Sequence, residues 1–221
     1  MSASARSALP RLIAITDSSL GDADTLPTRL RHLAERARPG SLALLLRDHA
    51  ATAKQRLALG RELRDIAVST GQALWVADRL DLALLLQADG VHLGEASVSA
   101  AVARRLVGER VVVSRAWHKA TLQGTAATEE LDDVDALLVS PVLEARKGRP
   151  ALGLAALGGL GEQLRARNRA CQLYALGGVS AETAAGCLAA GAAGVAAIGA
   201  AQVPDPSALL TALGLLRASA P

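Results

Sequence analysis

Gln172-Leu173-Tyr174-Ala175-Leu176-Gly177-Gly178-Val179 and, shortly after it, Gly194-Val195-Ala196-Ala197-Ile198-Gly199-Ala200 are the two stretches whose reading decides the fold. Each is a short apolar run that breaks at glycine just before sequence of helical character, the pattern of a buried parallel strand. Two neighbouring strands ending this way can aim backbone N–H groups at one phosphate. The loops after strands seven and eight are where a (β/α)8 barrel usually places it. Six earlier strand–helix units are then required, and the chain supplies them. Strands are predicted over 12–16, 42–46, 73–76, 90–93, 111–114, 136–139, 171–175 and 195–198. Helices are predicted over 25–37, 52–69, 80–87, 99–107, 120–131, 153–167, 181–190 and 206–218. Ser180 with Glu182, and Asp205 before Pro206, suit helix starts, while Gly71 and Gly191 suit helix ends. A doubly wound sheet would call for a glycine-rich loop after the first strand, but Thr16-Asp17-Ser18 stands there. The expected fold class is therefore α/β, a single-domain (β/α)8 TIM barrel over 11–221, after a disordered or extended segment over 1–10.

Composition narrows the partners. Half of the chain is hydrophobic (51%), and the absence of Phe is a bias that Leu and Val offset in a barrel interior. The net charge of +3 is mild and the arginines are scattered among acids along helices, which reads as a solvated surface and not as a nucleic-acid face. Cys171 and Cys187 match no metal-ligand spacing and read as free thiols of a reducing compartment. Residues 1–10 lack the apolar core of a signal peptide, and no apolar run approaches the roughly 18 residues that span a bilayer. The expectation is a cytoplasmic protein with no nucleic-acid or membrane partner, a homo-oligomer being left open.

In a barrel the chemistry sits where strands end. Those ends read Thr16-Asp17, Arg47-Asp48-His49, Asp78-Arg79, His92 with Glu95, Arg115 to His118, Ser140 through Lys147, Gly177-Gly178 and Gly199. Arg47 could clamp a phosphate or carboxylate with its planar fork, or pair with Asp48 or Asp78. His92, inside Gly90-Val91-His92-Leu93-Gly94, reads as a core histidine bonded to a neighbouring strand. His118 lies beyond the fifth strand, where an imidazole can shuttle protons near neutral pH. Lys147 sits among Arg146, Gly148 and Arg149, a cationic loop suited to an anion.

Several of these pieces occur in one order: Ala88-Asp89-Gly90-Val91-His92-Leu93-Gly94, Ser140-Pro141-Val142 followed by Lys147, and Ala175-Leu176-Gly177-Gly178-Val179. In that order and spacing, over nearly the whole chain, the sequence resembles the thiamine phosphate synthase and thiazole tautomerase superfamily. The resemblance implies a (β/α)8 barrel. It also implies a small phosphorylated thiazole as ligand, held by Gly177, Gly178 and the Ala197-Ile198-Gly199 turn. The synthases join a pyrimidine pyrophosphate to a thiazole phosphate, with Mg2+ on the pyrophosphate, whose departure leaves a carbocation that the thiazole nitrogen captures. Measured against that pattern, Arg47 is kept and Asp78 is the one metal-binding carboxylate kept. Leu45 stands for a glutamine, His49 for a lysine, Ala77 for an asparagine and Ser97 for a second aspartate, with Glu95 as a nearby substitute. Ala116 stands for a serine unless Ser114 takes its place, Ala145 and Arg146 for threonines, and Gly199 for a serine.

Because the losses fall on the pyrophosphate and metal end, the pattern resembles the tautomerase branch most. That branch needs no metal, and His118 would be its acid–base residue. Lys147 is carried with His118 as catalytic, and Arg47, Asp78, Gly177, Gly178, Ala197, Ile198 and Gly199 as substrate-binding. The alternatives are a divergent synthase using Mg2+ on Asp78 with a pyrimidine pyrophosphate as second substrate, and a non-catalytic barrel that binds a thiazole phosphate.

Overall fold

The computed structural model of the chain describes residues 9–20, 25–122, 131–167 and 170–218. The apolar runs become eight parallel strands that close in chain order. They are β1 (Leu12–Ile15), β2 (Leu42–Leu46), β3 (Ala73–Ala77), β4 (Gly90–Leu93), β5 (Val112–Trp117), β6 (Ala136–Val139), β7 (Gln172–Leu176) and β8 (Gly194–Ala197). β8 returns to β1 with Val195 opposite Leu12, so no strand edge is left open. Seven helices among the described residues surround it: α1 (Leu26–Arg36), α2 (Ala53–Thr70), α3 (Leu80–Leu85), α4 (Ala100–Val107), α5 (Gly153–Ala166), α6 (Ala181–Ala189) and α7 (Ser207–Ala212).

Strand residues divide by parity. Ile13, Ile15, Leu45, Trp75, Leu138 and Tyr174 belong to the cluster that fills the barrel, whereas Leu12, Ala14, Leu44 and Val76 pack outward under the helices. Trp75 is the largest interior side chain, and it fits because position 90 on the next strand has none: a Cβ on Gly90 would lie 2.6 Å from the indole ring. Gly90→Ala should therefore cost about 1–3 kcal/mol, read as a lowered urea midpoint. Gly159, in α5 with nothing within 4 Å of its absent Cβ, makes the control. Gly159→Ala should stabilise by about 0.5–1 kcal/mol. Beneath Trp75 the barrel is closed by Tyr174, whose hydroxyl donates to the Pro10 carbonyl at 2.5 Å. Burial pushes that phenol's pKa up.

Local signals set the helix ends. Thr52 and Gln55 form a capping box at the start of α2, and Gly71 ends that helix in the left-handed region at φ 68°. Thr183 accepts the Ser180 N–H at 2.8 Å before α6, and Asp205 accepts the Ser207 N–H at 3.0 Å before α7.

Two elements differ from expectation. β5 runs to Trp117, three residues beyond the predicted end at Ser114, because Arg115, Ala116 and Trp117 pair in register with Leu137, Leu138 and Val139. Arg115 thus lies within the strand, and its guanidinium donates to the Val98 carbonyl at 2.9 Å. The last helix stops at Ala212 and not at 218: Gly214 turns left-handed at φ 66°, and Leu216 then bridges antiparallel to Ala37. The helix expected over 120–131 falls mostly on residues 123–130, outside the described residues, as does the segment 1–8 of the expected extended N-terminus. No helix among the described residues is long and apolar enough to cross a membrane.

Candidate functional site at the barrel mouth

Two strand ends, those of β2 and β6, bring cations to the mouth. Arg47 follows β2, its N–H donating to Thr16 Oγ1 at 2.8 Å across the rim. Its guanidinium makes no ion pair with Asp48 or Asp78, and Nε is buried without a hydrogen-bond partner. The ion pair left open for Arg47 in the sequence is not formed. Lys147 is presented by a tight turn after β6. The Arg146 N–H donates to the Arg149 carbonyl at 3.0 Å and the reverse bond spans 2.9 Å. Lys147 and Gly148 lie between them at φ 51° and 73°, both in the left-handed region that such a two-residue loop demands. His49 senses this assembly. Burial and then the Arg47 charge lower its pKa, with Arg56 and Lys147 adding to the effect and only Asp78 opposing it.

Asp78 ends β3 in a left-handed conformation (φ 59°) that aims its carboxylate at the next loop. Oδ1 accepts the Gly94 N–H at 2.8 Å and the Ser97 hydroxyl. Partial burial raises its pKa, but the bonds from Ser97 and Gly94 with the positive fields of His92 and His49 outweigh that and leave it below the usual value. Glu95, the substitute metal carboxylate of the sequence reading, is engaged elsewhere: Arg149 Nη2 donates to its Oε2 at 2.6 Å, tying the β4 loop to the β6 turn. No group of three His, Cys, Asp or Glu able to hold a metal occurs among the described residues.

On another arc of the rim, Gly177 and Gly178 follow β7 at φ 96° and 75°. Their lack of side chains lets the β6 loop lie against them. A Cβ on Gly178 would come within 2.8 Å of Glu144 Cγ, and the Leu143 N–H donates to the Gly177 carbonyl at 2.9 Å. Ala197 ends β8, Ile198 lines the interior and Gly199 opens a short 3-10 turn. Among the described residues the N–H groups of Gly178, Val179, Gly199 and Ala200 donate to no acceptor.

Two histidines complete the mouth. The Nδ1 of His118 lies 2.6 Å from the Ser140 carbonyl, so in the neutral ring Nδ1 carries the proton and Nε2 keeps a lone pair. His92 points into the barrel on the same face of β4 as Gly90, one layer above Trp75. Its Nδ1 lies 3.0 Å from Ser114 Oγ, on the neighbouring strand as expected. Burial lowers its pKa to about 4, with Asp78 opposing and Arg47, Arg115 and His118 reinforcing. The sign follows. Above pH 6.5 neither the folded nor the unfolded chain protonates this ring. As pH falls from 6.5 towards 4 only the unfolded chain does, and stability is lost. That single group should make the protein about 2 kcal/mol less stable at pH 5 than at pH 8, a difference in urea unfolding that His92→Gln should abolish.

The comparisons with known proteins bear on this geometry. A family model described as thiamine monophosphate synthase matches residues 12–201. The chain belongs to that family. It is 33% identical to the thiamine-phosphate synthase of Saccharopolyspora erythraea over 201 residues, 87% of this chain and 88% of the relative. It is 37% identical to that of Thermus thermophilus over 183 residues, 81% of this chain and 84% of the relative. The thiamine phosphate pyrophosphorylase structure from Pyrococcus furiosus shares the fold with a TM-score of 0.76 at 23% identity, over 92% of this chain and 95% of that one.

Within the thiamine monophosphate synthase family pattern, the structure explains which departures matter. Ser97 stands where a second carboxylate was expected, and it touches Asp78. Ser114 does not take the place of the serine missing at Ala116. It sits one layer deeper and its hydroxyl serves His92 and the Val91 carbonyl. The Ser97–Asp78 and Arg149–Glu95 contacts were not foreseen, and for His92 the neighbouring strand was expected but not Ser114 itself. Each joins different loops or strands, and no spacing in the chain signals them.

Proposed function

We propose that the chain is a transferase of the thiamine-phosphate synthase type, joining a pyrimidine diphosphate to a thiazole phosphate. The carrying observation is the similarity to thiamine-phosphate synthases over most of the chain, beside two kinds of anion-holding group at the mouth. One is cationic, with uncommitted Arg47 and exposed Lys147. The other is the set of free N–H groups after β7 and β8. Either reading brings two anionic groups to the mouth, a diphosphate and a phosphate for coupling or a carboxylate and a phosphate for isomerisation, and the similarity to thiamine-phosphate synthases favours coupling. The tautomerase reading favoured by residue losses alone therefore becomes the second reading.

In this mechanism the N–H groups of Gly178, Val179, Gly199 and Ala200 hold the thiazole phosphate, as backbone donors hold anions at helix starts. Arg47 and Lys147 draw the diphosphate away and stabilise the charge that develops as its bond to the pyrimidine carbon breaks. The apolar floor of Ile15, Leu45 and Ala77 keeps water from the carbocation until the thiazole nitrogen attacks. A Mg2+ ion fits only sparsely. Asp78 is ionised, and its Oδ2 has no hydrogen-bond partner among the described residues. One carboxylate with substrate phosphates and water is a shell that Mg2+ accepts. When bound there, the ion would supply further neutralisation of the leaving diphosphate.

Purified protein given both phosphorylated halves and Mg2+ should form thiamine phosphate, and Asp78→Ala should suppress it; absence of coupling would sink this reading. One observation favours the second reading, the free Nε2 of His118 fixed by the Ser140 carbonyl. It predicts metal-independent isomerisation of a thiazole carboxylate phosphate, lost in His118→Ala while the ligand still binds.

A further inference from the structure

We propose that the outer face formed by the ends of α2, α3 and α4 remote from the mouth is an interface, covered by a second copy of this chain in a two-fold dimer. Five of the six residues of α3 are apolar: Leu80, Leu82, Ala83, Leu84 and Leu85. A helix that is apolar all round is normally a buried one. Yet Leu84 is 54% exposed and Leu85 70%, both in the last turn of α3. Val68, in the last turn of α2, is 70% exposed, and Leu106, in the last turn of α4, is 56% exposed. These four side chains make one patch. Val68 lies one turn beyond Arg64, whose Nε donates to the Leu86 carbonyl at the end of α3 at 2.9 Å, so Val68 is on the α3 flank of α2. Leu106 lies about 200° round α4 from Arg104. Because Arg104 reaches forward to Asp135, Leu106 faces back towards α3.

The edges of the patch decide what covers it. Asp65 stands at the α2 edge, one turn before Val68, and Arg105 stands at the α4 edge, beside Leu106. Both are exposed, and neither side chain has an ion pair or hydrogen bond among the described residues. A two-fold axis along α3, parallel to the barrel axis, lays α2 of one copy on α4 of the other. Val68 then meets Leu106, the α3 leucines meet their own copies, and Asp65 meets Arg105 at both edges. Opposite charges at the two edges make the face complementary to itself. A lipid surface calls instead for a basic rim with aromatic side chains. The acid at the α2 edge and the absence of any aromatic residue from α2, α3 and α4 disfavour it. The face lies on the helical shell, so covering it leaves the mouth open whichever reaction the mouth performs.

The test is sedimentation velocity of the purified chain over a range of concentrations. Wild type should sediment as a dimer that dissociates on dilution. Leu85→Glu sets two charges in the covered centre and should weaken dimerisation by about a hundredfold. Its circular dichroism should match wild type, since position 85 faces water in the single chain. Asp65→Arg should weaken dimerisation about tenfold by bringing like charges together, and Arg105→Asp should do the same. Both exchanges in one chain should restore most of the loss. A wild type that stays monomeric overturns the proposal, and one that is monomeric yet sediments with vesicles of anionic phospholipid gives the face to a membrane instead. Unchanged dimer affinity in Leu85→Glu puts any interface elsewhere and overturns it as well. Should that variant not fold, unchanged affinity in Asp65→Arg overturns it equally.

Discussion

Arg47→Met should lower kcat/KM for the coupling of pyrimidine diphosphate to thiazole phosphate by about two to three orders of magnitude, with the melting temperature close to wild type. The size follows from the state of the side chain. It is half-buried at the rim, forms no ion pair among the described residues, and its Nε is already out of water without a partner. Its desolvation has been met in folding, and an arriving diphosphate gains charge-assisted bonds. Arg47→Lys should recover only part of the rate, because an ammonium keeps the charge and loses the bidentate fork. Steady-state kinetics with the pyrimidine substrate varied would separate the two. An Arg47→Met enzyme within about threefold of wild type would remove Arg47 from the site.

The second large effect is on stability, at the opposite end of the barrel. Arg104 of α4 reaches under the sheet and donates to the carbonyls of Gly108, Val111 and Asp133 and to Asp135 Oδ2 at 2.7 Å. Asp135 also accepts the Val113 N–H at 2.8 Å, so the pair joins α4, the start of β5 and the approach to β6. Both side chains are buried, at 5% and 8% exposure. Arg104→Ala removes a buried guanidinium from that carboxylate and from three carbonyls, at a cost of about 3–5 kcal/mol. At about 2–4 °C per kcal/mol for a chain this size, the melting temperature should fall by roughly 10 °C. Replacing both partners, Arg104→Met with Asp135→Leu, should recover much of that loss. Arg149→Ala, which breaks the exposed pair with Glu95, should leave the melting temperature near wild type.

The two halves of the mouth differ in how far they could be read in advance. The glycine side was legible because backbone forms it: glycine at 177, 178 and 199 is a sequence signal for exposed N–H groups and close approach. Even there, the β6 loop lying on Gly177 and Gly178 is a second use of those glycines that composition could not show. The cationic side was legible as residue types only. Whether Arg47 was a free cation or half of an ion pair turned on side-chain geometry, as did the commitment of Glu95 to Arg149. Counting lost carboxylates favoured a tautomerase. The similarity to thiamine-phosphate synthases over most of the chain supports a transferase instead.

By itself, the sequence determined the barrel, since apolar runs of strand length alternating with amphipathic helices have few closed solutions, and glycine marks where each strand must turn. It also determined family membership, carried by the order of the segments 90–94, 140–147 and 176–179. Only the tertiary structure decided which polar groups are spent and which are free. Parity turned Arg115 outward and His92 inward, and register set Ser114 beside His92. Closure of the barrel placed the Asp78, Glu95 and Arg149 loops within reach of one another. A hydrogen bond between residues tens of positions apart depends on angles and distances that exist only once the sheet has closed, which is why the chemistry of the mouth, unlike its location, was not in the one-dimensional pattern.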